Sequence, residues 1–255
     1  MKKSFGIILF IVTLLCGAFW LSIFYTTQKN PSHRDTLIVG TSADFKPMSF
    51  KENDTIVGFD IDIATEAARR IGKKIELRDM PFELLIPQLQ LGTIHCVAAG
   101  LSETADRAKR VIFSPVYLGN DPLAIVVRKG ANEPQTMHEA LERVVAVNQG
   151  YTADLYLSKM ESIHLRRLPS VADAILALRL GQVDAFVTGR TSIAPFLATN
   201  EGDSYATFSI PDTDENMALA LSRRYPELAE EISKAICSML DDGFIDQLRE
   251  KWHVQ

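Results

Sequence analysis

Arg107 stands five residues after Ser102 in Gly100-Leu101-Ser102-Glu103-Thr104-Ala105-Asp106-Arg107. On a helix that starts at Ser102, the interval is about one and a half turns. A guanidinium presents a planar fork that can clamp a carboxylate bidentately. Ser102, the Gly100 amide and the amides of the helix start add donors and a positive dipole end. Thr152 follows Gly150 at a second expected helix start and can donate to the same carboxylate. Phe45 and Phe82 each follow a strand and can wall an apolar pocket. The chemistry these groups support is capture of a small zwitterion or carboxylate. Each residue alone has a plainer reading, a solvated helix arginine or a core phenylalanine, so their joint arrangement carries the weight. No catalytic grouping stands out. The five histidines (33, 95, 138, 164 and 253) are scattered without metal-ligand spacing, and no metal or other cofactor is expected.

Alternating strands and helices must position these groups. Leu37-Ile38-Val39 is a short apolar run that ends at Gly40 and reads as a buried strand. Asp60 is suited to cap a helix carrying Ile63, Ala67 and Ile71 on one face, with Gly72 beyond its end. Leu84 to Leu91 reads as a helix with Pro87 in its first turn, followed by a buried strand from Cys96 to Ala99. Ser102 is the expected cap of the helix that reaches Arg107. The pattern then restarts with a strand at Val144 to Val147. Ser170 caps a later helix with Asp173 at the capping-box position, and a long amphipathic helix begins at Pro226. The double alternation predicts two α/β layers with parallel-rich sheets, whose ligands bind at the carboxyl ends of strands.

The chain has 255 residues and a formal net charge of -5. Four of its 27 basic residues (Lys2, Lys3, Lys29, Arg34) and one of its 32 acidic residues (Asp35) lie in the first 35, which leaves residues 36–255 with 23 against 31, a net of −8. An acidic body with 47% hydrophobic residues argues against disorder and against nucleic acid as a partner. Phe5 to Tyr25 is uncharged, follows Lys2 and Lys3, and as a helix would span about 32 Å. An uncleaved anchor, a cleaved signal peptide and a lipid-modified Cys16 are all open readings. Each places the body outside the cytoplasmic membrane, in the periplasm or on the membrane's outer face. Residues 1–27 are therefore read as signal peptide or N-terminal membrane anchor, and 28–35 as linker. Cys96 and Cys237 are expected to be two separately buried thiols, although an oxidising compartment would permit their pairing.

Several segments together resemble a known family. Val39-Gly40-Thr41-Ser42-Ala43-Asp44-Phe45-Lys46-Pro47-Met48-Ser49-Phe50 comes first, then Gly58-Phe59-Asp60-Ile61-Asp62-Ile63. Ala99-Gly100-Leu101-Ser102-x-Thr104-x-x-Arg107 and Phe113-Ser114-x-x-Tyr117 follow. Gly150-Tyr151-Thr152, Val183-Asp184-Ala185 and Asp242-Gly243-x-Ile245-x-x-Leu248-x-x-Lys251-Trp252 complete the series. This order resembles the polar-amino-acid solute-binding proteins of bacterial ABC importers over essentially all of residues 36–255.

The resemblance implies a two-lobed periplasmic-binding-protein clamshell of type II, each lobe a mixed, mostly parallel sheet with flanking helices. Lobe 1 would comprise 36–117 and 217–255, lobe 2 would comprise 123–211, and hinge strands would lie at 118–122 and 212–216. Arg107 and Ser102 would hold a ligand α-carboxylate, with Thr152 donating from the second lobe. Phe45 and Phe82 would flank the ligand side chain, the backbone at Ala99 and Gly100 would contact the amine or carboxylate, and Ser42 would help read the side chain or amine. The implied ligand is a small amino acid or related carboxylate, the implied partner an ABC permease in the inner membrane, and the protein a monomer without enzymatic activity. Two departures matter. Gly189 stands where many members carry an aspartate for the ligand α-ammonium, and Ser42 replaces an acid common in binders of basic amino acids. Asp44 or Glu215 can supply the missing charge, against a plainer reading of each as a solvated loop acid. His95, in place of a usual aspartate, is read as a change at a lobe surface. Two alternatives remain open: an enzyme on the same scaffold resembling cyclohexadienyl dehydratases, and an amino-acid sensor domain tethered by the N-terminal segment.

Overall fold

The computed structural model describes residues 35–130 and 132–254. The apolar segment at residues 5–25, its cleavage or anchoring, and nearly all of the linker lie outside the described residues. Among the described residues, no helix is long and apolar enough to cross a membrane.

Two five-stranded sheets organise the chain. In the first, the strand order is Lys74–Asp79, Thr36–Thr41, Cys96–Val97, Ala220–Leu221 and Ile112–Phe113. Thr36–Thr41 and Cys96–Val97 run parallel, while Ala220–Leu221 inserts antiparallel between its two neighbours. In the second, the order is His164–Leu168, Val144–Asn148, Ala185–Gly189, Leu123–Arg128 and Tyr205–Ser209. Its first three strands are parallel, and Leu123–Arg128 is antiparallel to both of its neighbours. A two-stranded ladder, Leu118–Asp121 against Glu215–Met217, lies between the sheets in sequence on both passes of the chain. Glu215 is directly opposite Asp121 in that ladder.

The central strands read as continuous apolar runs because both faces are covered. Ile125, Val126, Val127, Val145, Ala146 and Val147 are all completely buried. The first sheet packs against helices Phe59–Arg70, Pro226–Asp241 and Phe244–Trp252, burying Phe59, Ile63, Ile232, Ile236 and Met239 in one cluster. Pro226 opens its helix at the one position where a missing amide N–H costs nothing. Another apolar cluster joins Leu85, Leu89 and Phe82 to Tyr151, Val126, Ala146 and Phe186, so the regions carrying the two sheets are packed together.

Local details differ from the sequence reading. Ser170 does cap helix Val171–Arg179, accepting from the Asp173 amide. Asp60 is no cap, because helix Phe59–Arg70 starts one residue before it and Asp60 is fully buried in the first turn. Helix Phe82–Leu91 begins two residues earlier than expected, which puts Pro87 in its interior. His95 is buried: its Nδ1 accepts the Ile38 amide at 3.1 Å, and its ring packs edge-on against Tyr225. Cys96 and Cys237 are both free thiols, the first buried and the second exposed, since Cys237 falls on the outer face of Pro226–Asp241.

Candidate functional site

Arg107 is the centre of the site. It sits in a single helical turn, Ala105–Ala108, whose cap is Thr104 rather than the expected Ser102. One turn aligns too few peptide dipoles to act as an anion site by itself. The shift of the cap frees Ser102, which bridges to Met217 and turns its hydroxyl inward. The Arg107 guanidinium is buried, donating from Nη1 to the Ser102 carbonyl at 2.8 Å and from Nη2 to the Gly150 carbonyl at 2.9 Å. Nη1 also lies 3.3 Å from Thr152 Oγ1, and the Phe82 ring centroid is 5.6 Å from the guanidinium carbon. All these partners are neutral, and no carboxylate lies within ion-pair distance of Arg107 among the described residues. Burial pulls its pKa down to about 10, while the charge of Glu215 opposes that shift, so the group stays cationic at neutral pH.

An aromatic wall flanks this cation. Phe82 and Tyr151 have ring centroids 4.3 Å apart, and Phe45 lies 6.2 Å from Tyr151. Gly100, at φ +60, is held by the buried Asp60 carboxylate, which accepts its amide at 2.6 Å. A methyl on Gly100 would overlap the Phe45 ring, so this position requires glycine for both conformation and space. Ala99 is completely buried in the cluster that contains Phe82 and Tyr151. Asp154 steadies the Gly150 turn by accepting its amide at 3.0 Å.

Opposite Arg107 is an acidic corner. Glu215 is buried, and its Oε1 accepts from Ser102 Oγ at 2.6 Å. Burial pushes its carboxyl above the usual range, hydrogen bonds from Ser102 and Thr152 draw it back, and Asp121 repels it. Asp121 is also buried and shifted upward by burial, although the Thr191 amide donates to its Oδ1 at 2.9 Å. Its Oδ2 has no hydrogen-bond partner among the described residues.

Seven of the eight expected site residues meet in this region: Phe45, Phe82, Ala99, Gly100, Ser102, Arg107 and Thr152. Ser42 joins the region through Asp44, donating to its Oδ1 at 2.7 Å and accepting from Ser49 Oγ through its carbonyl. Asp44 is exposed at one end of the region, where the charges of Asp79 and Asp173 act on it and Lys51 pairs with Asp79 at 2.6 Å. Tyr151 and Asp121 border the region although the sequence reading does not single them out, and Glu215 is buried rather than a solvated loop acid. Tyr151 had a signal in its place between Gly150 and Thr152, whereas Asp121 had none, because only the ladder pairing brings it to Glu215. A separate cavity of about 430 Å³ is lined by Lys46, Asn120, Asp121, Arg190, Thr191 and Trp252 among others, and by none of the eight expected residues.

The sequence profile of bacterial extracellular solute-binding proteins, family 3, matches residues 37–255. The arginine-binding extracellular protein ArtP of Bacillus subtilis is 30% identical over 226 residues, 87% of each chain. The glutamine-binding ABC transporter protein GlnH of the same organism is 29% identical over 224 residues, 86% of this chain and 81% of its own. Among solved structures, a mutant of ArgBP from T. maritima superposes with a TM-score of 0.80 at 36% identity, covering 88% of this chain and 97% of that one. An ancestral arginine-binding protein bound to glutamine gives a TM-score of 0.79 at 33% identity, with 87% and 99% covered. The ancestral amino-acid-binding protein AncCDT-1, a precursor of cyclohexadienyl dehydratase, gives 0.75 at 31% identity, with 86% and 96% covered. The fold is thus the two-lobed type II periplasmic-binding-protein fold, and the chain belongs to the bacterial extracellular solute-binding proteins of family 3.

Proposed function

We propose that the protein captures a polar α-amino acid between two closing lobes and delivers it to the permease of an ABC importer, working as a monomer outside the cytoplasmic membrane. The observation that carries this reading is Arg107, a buried cation with only neutral oxygens around it. A buried charge needs a counter-charge, and a ligand carboxylate meets that need. In this reading Ser102 and Thr152, whose hydroxyls bond to Glu215, line the space beside the carboxylate, and Phe45, Phe82 and Tyr151 cover the ligand's carbon chain. Lobe 1 is residues 36–117 and 217–255, lobe 2 is 123–211, and closure turns on 118–122 and 212–216. Asp44, with Asp79 and Asp173 acting on it, favours a cationic side chain such as that of arginine.

Thermal unfolding with each of the twenty L-amino acids tests the reading. A ligand at a hundredfold excess over its Kd contributes about 2.7 kcal/mol, which for a domain of this size raises Tm by about 5–10 °C. L-Arginine is expected to give the largest shift, and no shift with any amino acid contradicts the proposal. A second reading has one observation behind it: burial raises the Glu215 pKa, as a general acid requires. Incubation with prephenate or arogenate separates the two readings, and binding without formation of an aromatic product is expected.

A further inference from the structure

Three buried oxygens on three strands point to a second charged pole in the site. Glu215 accepts hydrogen bonds from Ser102, at Oε1, and from Thr152, and its Oε2 stands against Gly189, where an added methyl would overlap it. The same methyl would lie 2.9 Å from Asp121 Oδ2, which is buried and lacks a hydrogen-bond partner among the described residues. Thr188 Oγ1, one residue earlier on the same strand, is buried and unpartnered as well. Two carboxylates therefore converge on one glycine.

No local cation neutralises them. Neither carboxylate has a lysine or arginine within ion-pair distance among the described residues; Arg190 acts on Asp121, and Arg107 on Glu215, only from beyond that distance. Arg107 is committed to the Ser102 and Gly150 carbonyls. Ser102 joins the two poles, because its carbonyl accepts from Arg107 while its hydroxyl donates to Glu215. Cation and anion thus flank a single residue, a spacing suited to the two charged groups on one α-carbon. An ammonium offers three donors on a compact charge, which suits several oxygens converging on one point.

We propose that Glu215, with Asp121 behind it, is the anchor for the ligand's α-ammonium, filling the space beside Gly189 that a side chain on that residue would occupy. This rests on the amino-acid reading above, with the ligand carboxylate on Arg107. Gly189 has φ −59 and ψ 143, a conformation open to any residue. Its role is therefore to leave room for the Glu215 carboxylate.

Calorimetric titration of the full chain with L-arginine and with 5-guanidinopentanoate, the same molecule without its amine, tests the assignment. The wild type should prefer L-arginine by about a hundredfold or more. Glu215→Gln should cut that preference to about fivefold or less and leave the affinity for 5-guanidinopentanoate within about threefold of wild type. Asp121→Asn should act in the same direction with a smaller effect. Glu215→Ala should behave like Glu215→Gln, and adding Gly189→Asp to it should restore about tenfold or more of the preference, because the aspartate enters the vacated space. The assignment is overturned if Glu215→Gln retains the full preference, or if it weakens both compounds equally, as a purely structural carboxylate would. Should Glu215→Gln fail to fold, Asp121→Asn and the Glu215→Ala, Gly189→Asp pair give the same reading. Arg107→Ala separates this inference from the one beneath it. Wild-type binding by Arg107→Ala overturns the amino-acid site itself, whereas loss of both compounds there with full preference in Glu215→Gln overturns only the role of Glu215.

Discussion

The two charged poles of the site are built differently. Arg107, Ser102 and Gly100 fall within eight consecutive residues, on one turn and the loop before it, and Thr152 reaches them from the start of another helix. The acidic pole has no such local unit. Glu215 and Asp121 are 94 positions apart and meet only across the two-stranded ladder, while Gly189 comes from a third strand. A short motif can thus specify a cation clamp, whereas a carboxylate can be supplied from any strand that borders the same space.

The contrast is tested most strongly by deleting the cation. Arg107→Ala should weaken every carboxylate ligand by about a thousandfold, roughly 4 kcal/mol, as measured by calorimetry. A loss confined to amino acids would erase the distinction between the poles. The support beneath the clamp comes next. Burial raises the Asp60 pKa from 3.8 to about 6. For a carboxyl raised in the folded state, the native form binds more protons than the unfolded chain between those values. Its contribution is therefore full below about pH 4 and is lost as pH rises through 6. Denaturation at pH 4 to 7 should show Asp60→Asn gaining on the order of 3 kcal/mol relative to wild type over that span, with the Gly100 amide still accepted by the new amide oxygen. Parallel pH profiles would contradict a buried, neutralising Asp60.

Gly100→Ala should lower stability by about 2 kcal/mol, since φ +60 disfavours alanine and the methyl meets Phe45. Its affinity for both L-arginine and 5-guanidinopentanoate should fall together, which marks damage at the carboxylate pole alone. The mildest probe is pH. Burial makes Glu215 and Asp121 take up protons at higher pH than ordinary carboxylates, despite the opposing hydrogen bonds from Ser102, Thr152 and Thr191. Arg107 and Tyr151, which face the same space, stay protonated throughout, Tyr151 because burial raises its hydroxyl pKa. Lowering the pH should therefore weaken L-arginine binding more than 5-guanidinopentanoate binding, since protonation of Asp60 and Asp44 acts on both compounds alike. Equal weakening of both compounds would blur the two poles into one.

Much of the architecture was legible because it is local. Period and caps located the helices at Phe59–Arg70, Val171–Arg179 and Pro226–Asp241, and apolar runs marked the central strands. The misreadings came from long-range demands on polar side chains. Ser102 and Asp60 both look like caps in sequence, yet each is drawn away to a distant partner, Glu215 and the Gly100 amide respectively. His95 resembles a surface substitution until its ring is seen accepting the Ile38 amide across two paired strands. Glu215 sits in the polar run Asp212-Thr213-Asp214-Glu215-Asn216, where nothing separates the one buried acid from its exposed neighbours.

A crystal structure with L-arginine bound tests the central claim most directly. The account predicts the ligand carboxylate on the Arg107 guanidinium and the ligand ammonium on Glu215 Oε2, each at about 2.7–3.0 Å, with the side chain running past Phe45 and Phe82 toward Asp44. A ligand ammonium that leaves Glu215 bonded only to Ser102, or a carboxylate bound away from Arg107, would contradict it.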